Sequence, residues 1–163
     1  MVTRLTILLC IAIFAQGCSS RTPITSSVVN IGGETFTLEL VLDQSSRANG
    51  LMNRTSIAKD GGMLFVFTES SNRSFWMKSC LVDIDLIFLD SRGTVTALHE
   101  MTVEPPQEAQ ESTWDYEGRL TNYWSRGPSR FAIELAAGSI KRLKLRINDI
   151  IKLDLNQLKS MAR

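Results

Sequence analysis

The sequence predicts a mainly β fold, a sandwich or barrel with one or two short helices. Three observations predict it. About seven short apolar segments have the length of strands, turn residues separate them, and no internal repeat interrupts their series. Short strands joined by turns are typical of sandwiches and barrels. The 163 residues suit one domain with a proper core better than two.

The individual elements follow from two kinds of apolar pattern. Residues 36–40 alternate between apolar and polar, which predicts a half-buried strand, and the continuous apolar run 63–67 predicts a buried one. Further strands are predicted at 75–80, 84–89, 94–99, 131–135 and 150–155. Asp43 suits the N-cap of a short helix that stops near Gly50, and Ser139 can cap one helical turn.

The first twenty residues differ from the rest in composition. One cation, Arg4, precedes an apolar run of about ten residues, which is half of a membrane span and typical of a secretory signal. Ala15-Gln-Gly-Cys18 follows, and small residues before a cysteine resemble the lipobox of bacterial lipoproteins. The resemblance implies cleavage before Cys18 and attachment of fatty acyl chains such as palmitate, which anchor stably when several act together. The alternatives are ordinary cleavage with release of a soluble protein, and an uncleaved start.

These features divide the chain and locate it. The predicted parts are a signal peptide at 1–17, a lipid-anchored tether at 18–29, one β-rich domain at 30–155 and a C-terminal tail at 156–163. The expected location is the cell envelope, facing the periplasm or exterior. The outer membrane is favoured because Ser19 stands where some Gram-negative lipoproteins carry an aspartate for inner-membrane retention. Cys80 is then the single free cysteine, and we expect a buried structural thiol.

The charge balance limits the class of partner. The chain has 18 basic and 17 acidic residues, and Arg4 leaves with the predicted signal, so the mature chain is formally neutral. A neutral chain lacks the basic footprint that nucleic acid requires. The expected partners are therefore the membrane, through the lipid anchor, and an unknown small molecule or envelope protein.

Four blocks in a fixed order carry a family resemblance. They are Arg47–Arg54 (RANGLMNR), Gly62–Phe67 (GMLFVF), Phe75–Lys78 (FWMK) and Ile84–Phe88 (IDLIF). Their order and spacing resemble family 192 of the domains of unknown function, which occurs in bacteria and archaea, often behind a signal peptide. The resemblance covers roughly residues 30–155 and implies a jelly-roll-like β-sandwich. It implies no reaction.

The resemblance also includes Phe131–Leu135 (FAIEL), and four charged residues lie inside or beside these apolar segments: Arg47, Lys78, Asp85 and Glu134. Asp85 is the clearest case, since a carboxylate among apolar neighbours is costly to bury unpaired. The structural interpretation is an ion pair of Asp85 with Arg47 or Lys78, or a carboxylate that accepts backbone N–H bonds. The functional interpretation is a polar cleft that binds a ligand.

No catalytic set, metal site or cofactor is predicted. The chain contains no Gly-x-Ser-x-Gly, His-Glu-x-x-His or Cys-x-x-Cys motif. Asp83 and Asp85 share a strand face, and Cys80 with His99 is a conceivable nucleophile and base, but neither pair has further support. A soft copper site would use Met52, Met63, Met77 and Met101 with His99. Two of these methionines lie inside apolar runs, where methionine is ordinarily core filler.

The segment 102–129 lacks a usable period and is predicted as a long loop. It carries four aromatic residues: Trp114, Tyr116, Tyr123 and Trp124. Their rings either fold back on the domain as a flap or face a partner. We expect a mixture, with at least one tryptophan buried and at least one tyrosine more than a third exposed.

The leading hypothesis for function is a non-catalytic envelope binding module. Its ligand or partner would meet the 102–128 loop and the polar cluster around Lys78 and Asp85. The rival hypothesis is an enzyme that acts on a cell-envelope polymer or small molecule. The lack of a recognisable nucleophile and base favours the binding module.

Overall fold

Eight strands and four short helices form the regular structure of residues 25–163, the part of the chain that a computed structural model describes. The strands are β1 (Ser26–Ile31), β2 (Glu34–Val41), β3 (Gly61–Ser71), β4 (Ser74–Phe75), β5 (Ile84–Leu89), β6 (Val95–Met101), β7 (Tyr123–Trp124) and β8 (Ser129–Ala136). The helices are α1 (Gln44–Asn49), α2 (Thr113–Arg119), α3 (Ser139–Leu143) and α4 (Leu155–Met161). The predicted signal peptide, Cys18 and most of the tether lie outside the described residues.

Six strands form one mixed sheet in the order β1-β2-β3-β8-β5-β6. Only β2 and β3 pair in parallel, and the other neighbours are antiparallel. A separate ribbon pairs β4 with β7. The prediction of a mainly β fold is confirmed. The barrel alternative is wrong for the described residues, because β1 and β6 are unpaired edges of an open sheet.

Both faces of the sheet are covered, which explains the continuous apolar runs in β3 and β5. Successive side chains of a strand point to opposite faces. On one face, Leu64 belongs to a core with Ile140 of α3 and Leu158 of α4. On the other face, Phe65 belongs to a core with Met77. A strand buried on both sides reads as uninterrupted apolar sequence rather than alternation.

Two predicted strands are wrong. Regular pairing near 75–80 is confined to β4, and a turn follows in which Cys80 N–H donates to the Met77 oxygen at 3.1 Å. Residues 150–155 have alternating polarity but no strand neighbour beyond a single bridge between Thr94 and Ile150. Asp154 instead caps α4, accepting from the Gln157 N–H at 3.0 Å.

Regular structure also replaces three segments predicted to be irregular. The segment 102–129 contains α2, which Ser112 caps, and strand β7. Strand β1 includes residues 26–29 of the predicted tether. Helix α4 occupies most of the predicted tail and buries Leu158. The short helices therefore number four among the described residues, and none of them is long and apolar enough to cross a membrane.

Candidate functional site

A cleft of about 550 Å³ opens on the face of the sheet that carries Phe65. This volume lies within the range of small-molecule sites. Helix α1, strand β3 and the segment around β4 form its walls. The large apolar side chains among its lining residues are Leu51, Met52, Phe65, Phe67, Phe75 and Trp76.

The aromatic contacts of Phe75 position the β4 side of the cleft. Its ring meets the ring of Phe65 edge to face at a centroid distance of 4.9 Å, and the ring of Phe88 at 5.4 Å. Edge-to-face pairs stabilise beyond the area that they bury. The two-residue ribbon is thus fixed to the sheet by the ring at its end.

The turn after α1 brings backbone close to the base of the cleft. Gly50 ends the helix with a φ of +46°, a conformation that side chains disfavour. A Cβ atom at this position would lie 3.8 Å from Glu134 Oε2. Gly62 approaches β8 even more closely, since a Cβ there would lie 2.2 Å from the backbone oxygen of Glu134. The backbone conformation therefore favours glycine at position 50, whereas close approach to the backbone of β8 requires it at position 62.

Glu134 is a buried carboxyl at the base of the cleft. Its exposed fraction is 5%, and its Oε2 has no hydrogen-bond partner. No salt bridge among the described residues includes it. Burial raises the pKa of Glu134 to about 8, because the apolar surroundings disfavour the charged form. The carboxyl is therefore mostly protonated at neutral pH.

Two arginines lie over one aromatic ring at the side of the cleft. The guanidinium carbon of Arg73 is 4.2 Å from the ring centroid of Phe67, and that of Arg47 is 5.8 Å from it. Arg47 donates to the backbone oxygens of Leu42 at 2.8 Å and of Val66 at 3.1 Å, which joins α1 to β3. Arg47 therefore has a structural role whatever else it does.

Arg73 is less well satisfied than Arg47. Its Nη2 donates to the Glu69 oxygen at 2.9 Å, but its buried Nε has no partner. Burial lowers the pKa of Arg73, the charge of Glu69 opposes that shift, and the like charges of Arg47 and Arg130 add to it. The sequence analysis missed this residue, because Asn72-Arg-Ser74 has the composition of an ordinary exposed turn.

Lys78 stands at the rim and is partly neutralised. Its Nζ forms a salt bridge with Glu117 of α2 and lies 5.7 Å from the ring centroid of Trp76. The cleft therefore brings together three members of the predicted polar cluster, Arg47, Lys78 and Glu134.

Asp85 lies outside the cleft. The predicted ion pair with Arg47 or Lys78 is wrong, since Asp85 Oδ2 accepts from the Ile140 N–H at 2.6 Å. Burial raises the pKa of Asp85, and N–H bonds from Ile140 and Gly138 oppose that rise. The alternative prediction, a carboxylate bound by backbone N–H groups, is confirmed.

The four aromatic residues of the 102–129 segment line none of the cleft. Trp114 and Trp124 are 84% and 56% exposed, so the prediction of a buried tryptophan is wrong. Tyr116 is buried, and its hydroxyl accepts from the Ser79 N–H at 3.1 Å. Tyr123 is half-buried, with its ring 5.6 Å from that of His99. The tyrosines fold back on the domain, whereas the tryptophans face outward.

The residues considered for catalysis are kept apart. Cys80 is buried as predicted, and burial, with a smaller contribution from the charge of Glu134, raises its pKa to about 11. His99 Nε2 donates to the Trp124 backbone oxygen at 2.8 Å, away from the thiol. Asp83 accepts from the Val103 N–H at 2.7 Å. Within residues 25–163 no three His, Cys, Asp or Glu side chains are grouped to hold a metal ion.

Two solved structures share this fold. A protein from Sinorhizobium meliloti 1021, named as a candidate transcription regulator, is 30% identical over 80% of this chain and 97% of its own, with a TM-score of 0.63. A protein of unknown function from Novosphingobium aromaticivorans DSM 12444 is 23% identical over 81% of this chain and 90% of its own, also with a TM-score of 0.63. No curated protein matches the chain.

The family comparison covers almost the whole described domain. The model of DUF192, described as an uncharacterized ACR, matches residues 27–153. Apart from Ser26 at the start of β1, this range includes the four sequence blocks, the strands of the sheet and all walls of the cleft. The chain therefore belongs to the DUF192 family.

Proposed function

We propose that this protein is an envelope-anchored, non-catalytic binding module that holds a small molecule in the cleft beside α1, β3 and β4. The observation that carries the proposal is the cleft itself, with apolar walls and a buried carboxyl oxygen that has no partner. A mostly apolar pocket with a few convergent polar groups is the usual form of a ligand site. Leaving a buried polar atom unpaired is costly, and a bound ligand would supply the partner.

The enzyme alternative rests on Glu134, whose pKa of about 8 would suit a general acid or base near neutral pH. Such a group needs a second reactive residue within reach. The nearest candidate is Cys80, and a thiol with a pKa of about 11 is almost wholly protonated at neutral pH. The described residues around Glu134 thus favour binding over a covalent mechanism.

Anchoring at the envelope rests on the lipobox-like sequence that ends at Cys18. Eight positions separate Cys18 from Ser26, where β1 begins, so an anchored domain would stand close to the bilayer. The description of the Sinorhizobium protein as a transcription regulator is not carried over to this chain. The neutral charge of the predicted mature chain gives no support for nucleic-acid binding by this protein.

The anchor is tested by Cys18→Ser in the full chain. We expect loss of labelling by a fatty-acid probe and loss from the membrane fraction. Conversion of the neighbouring Ser19 to alanine serves as the matched control and leaves labelling intact. Unchanged labelling of the Cys18→Ser protein would remove the lipobox from the proposal.

Ligand binding is tested by filling the cleft. Thr68 is an exposed residue of the lining, so Thr68→Trp occupies the cleft without disturbing the core. Thr121 is exposed outside the cleft, and Thr121→Trp is the matched control. Native mass spectrometry of the protein from its own membrane should find a bound small molecule in the wild type and in Thr121→Trp, but not in Thr68→Trp. An equally loaded Thr68→Trp protein, or an empty wild type, would contradict the proposal.

A further inference from the structure

Arg47 and Arg73 line one side of the cleft, and Arg130 lies near enough to affect the charge on Arg73. None of the salt bridges among residues 25–163 includes Arg47, Arg73 or Arg130. Burial is the main cause of the lowered pKa of Arg73; the nearby charge of Glu69 opposes it, and repulsion from Arg47 and Arg130 makes a smaller contribution. Like charges repel one another, and a bound anion offsets this repulsion. Clustered arginines of this kind therefore normally face an anion.

Arg73 also has unused hydrogen-bonding capacity. A guanidinium carries five N–H donors in one plane, and Arg73 uses Nη2 for the Glu69 oxygen. Its Nε is buried without a partner, although Arg73 lines the cleft. Stacking over Phe67 fixes the plane of the group. Fixed donors beside a cleft suit a bidentate oxyanion such as a carboxylate, sulfonate or phosphate.

The remaining charged groups of the cleft do not compete for this role. Lys78 is bound to Glu117, and Arg47 is occupied by backbone oxygens. Glu134, the single carboxylic acid among the lining residues, is mostly protonated at neutral pH because burial raises its pKa to about 8. A neutral carboxyl does not repel an anion, and its O–H can donate to an uncharged acceptor.

We infer that the cleft binds a small organic anion, with its acid group on Arg73 and its flat apolar body against Phe67, Phe75 and Trp76. This inference rests on the proposed function and specifies the chemical class of its ligand. The apolar walls bind the body of the molecule, and Arg73 distinguishes an acid from a neutral analogue. Glu134 at the base can donate its O–H to an uncharged acceptor at the buried end of the ligand.

The experiment compares two probes of the same shape and different charge, 2-naphthoate and 2-naphthalenemethanol. The full chain is reconstituted in lipid nanodiscs, and empty nanodiscs serve as the blank for calorimetry. We expect naphthoate to bind roughly ten- to a hundredfold more tightly than the alcohol, the range of a charge-assisted hydrogen-bonded pair. Arg73→Gln should remove this preference and leave the affinity for the alcohol unchanged. Retained alcohol binding also shows that the variant is folded.

Two further variants make the result specific. Arg73→Lys keeps the charge without the bidentate donors and should keep only part of the preference. Arg92→Gln removes an exposed arginine from the β5–β6 turn, outside the cleft, and should change neither affinity. Equal wild-type affinities for the two probes, or an unchanged preference in Arg73→Gln, would overturn the anion class but keep a binding cleft. Failure of both probes to bind the wild type would overturn the proposed function as well.

Discussion

Two buried carboxyl groups lie on neighbouring strands, and their surroundings differ. Asp85 on β5 is covered by the first turn of α3, where the Ile140 N–H binds one of its oxygens at 2.6 Å. Glu134 on β8 lies at the base of the cleft, where no N–H group or cation reaches its Oε2. Asp85, on β5, contributes to the fold by accepting a hydrogen bond from the N-terminus of α3, the helix that follows β8. Glu134 gives the fold no comparable bond.

The difference shows how the same sequence signal arises from two causes. Each acid interrupts an apolar strand, and burial raises the pKa of each. A buried polar group is ordinarily retained where it is hydrogen-bonded. Asp85 meets that condition at Oδ2 and leaves Oδ1 unpaired, whereas the carboxyl of Glu134 has no hydrogen bond within residues 25–163. A ligand in the cleft could supply a partner to Glu134 but not to Asp85, which lies outside the cleft.

The largest expected effect is on the pH dependence of the free energy of unfolding, which tests the comparison of Glu134 with Asp85. Because the folded pKa of Glu134, about 8, lies above the unfolded value of 4.5, the folded chain keeps a proton that the unfolded chain releases between these pH values. Stability therefore falls as pH rises through this window and levels off above the folded pKa. By linkage the wild type loses about 5 kcal/mol across this window, and Glu134→Gln lacks this part of the loss.

Urea unfolding at a series of pH values measures the effect. The other titratable side chains that line the cleft with Glu134 are Arg47 from α1 and Arg73, Lys78 and Cys80 from the β3–β5 segment. Cys80, with a pKa of about 11, stays protonated below pH 9. Asp85 titrates equally in both proteins, so the difference between them isolates Glu134. Parallel curves for wild type and Glu134→Gln would place Glu134 in solvent.

Asp85→Ala tests the other side of the comparison. Removing the acceptor leaves the buried Ile140 N–H unpaired at the start of α3, and we expect a loss of about 2–3 kcal/mol in the free energy of unfolding. Asp85→Asn keeps an acceptor oxygen and should lose about 1 kcal/mol. Chemical denaturation measures both. Equal stability of Asp85→Ala and wild type would mean that α3 does not depend on this bond.

Sequence patterns predicted much of the fold, because strands that bury side chains leave a clear trace. The run 63–67 and the block 84–89 are strands β3 and β5. The alternation at 150–155 gave a false strand, since burial of Ile151 from a loop produces the same pattern as burial from a strand. Helix α2 was missed because it is only seven residues long and buries one of them, Tyr116.

The site was less predictable, because it depends on pairing between distant segments. Sequence placed Arg47, Lys78 and Glu134 among candidate residues, and the sheet order brings them to one cleft. It did not separate Asp85 from them, since only the tertiary fold places α3 over one acid and a cleft over the other. Arg73 gave no signal at all, as an arginine in a polar turn is ordinarily solvated.

Cys80 lines the same cleft as Glu134, and its variants test whether the thiol is structural or reactive. If its thiol only fills space beside Glu134, Cys80→Ala should lower the free energy of unfolding by about 1 kcal/mol and leave ligand binding intact. The high pKa of the thiol also predicts that a thiol reagent modifies the native protein slowly. Mass mapping of the Cys80 peptide measures the extent of modification over time. Rapid native modification would show an open, reactive thiol and return the enzyme hypothesis to consideration.

The smallest expected effect separates the cleft from the exposed tryptophans nearby. Trp124 pairs with Ser74 through its backbone, and its backbone oxygen accepts from His99 at 2.8 Å. Its side chain is 56% exposed, so Trp124→Ala leaves these bonds in place and should change stability by less than about 0.5 kcal/mol. Tyr123→Ala should cost more, because that ring is half-buried against His99.

Naphthoate affinity should survive Trp124→Ala, since the Trp124 ring does not line the cleft. A loss of more than 1 kcal/mol would make Trp124 part of the fold, and a loss of naphthoate binding would move the ligand from the cleft to the β4–β7 ribbon.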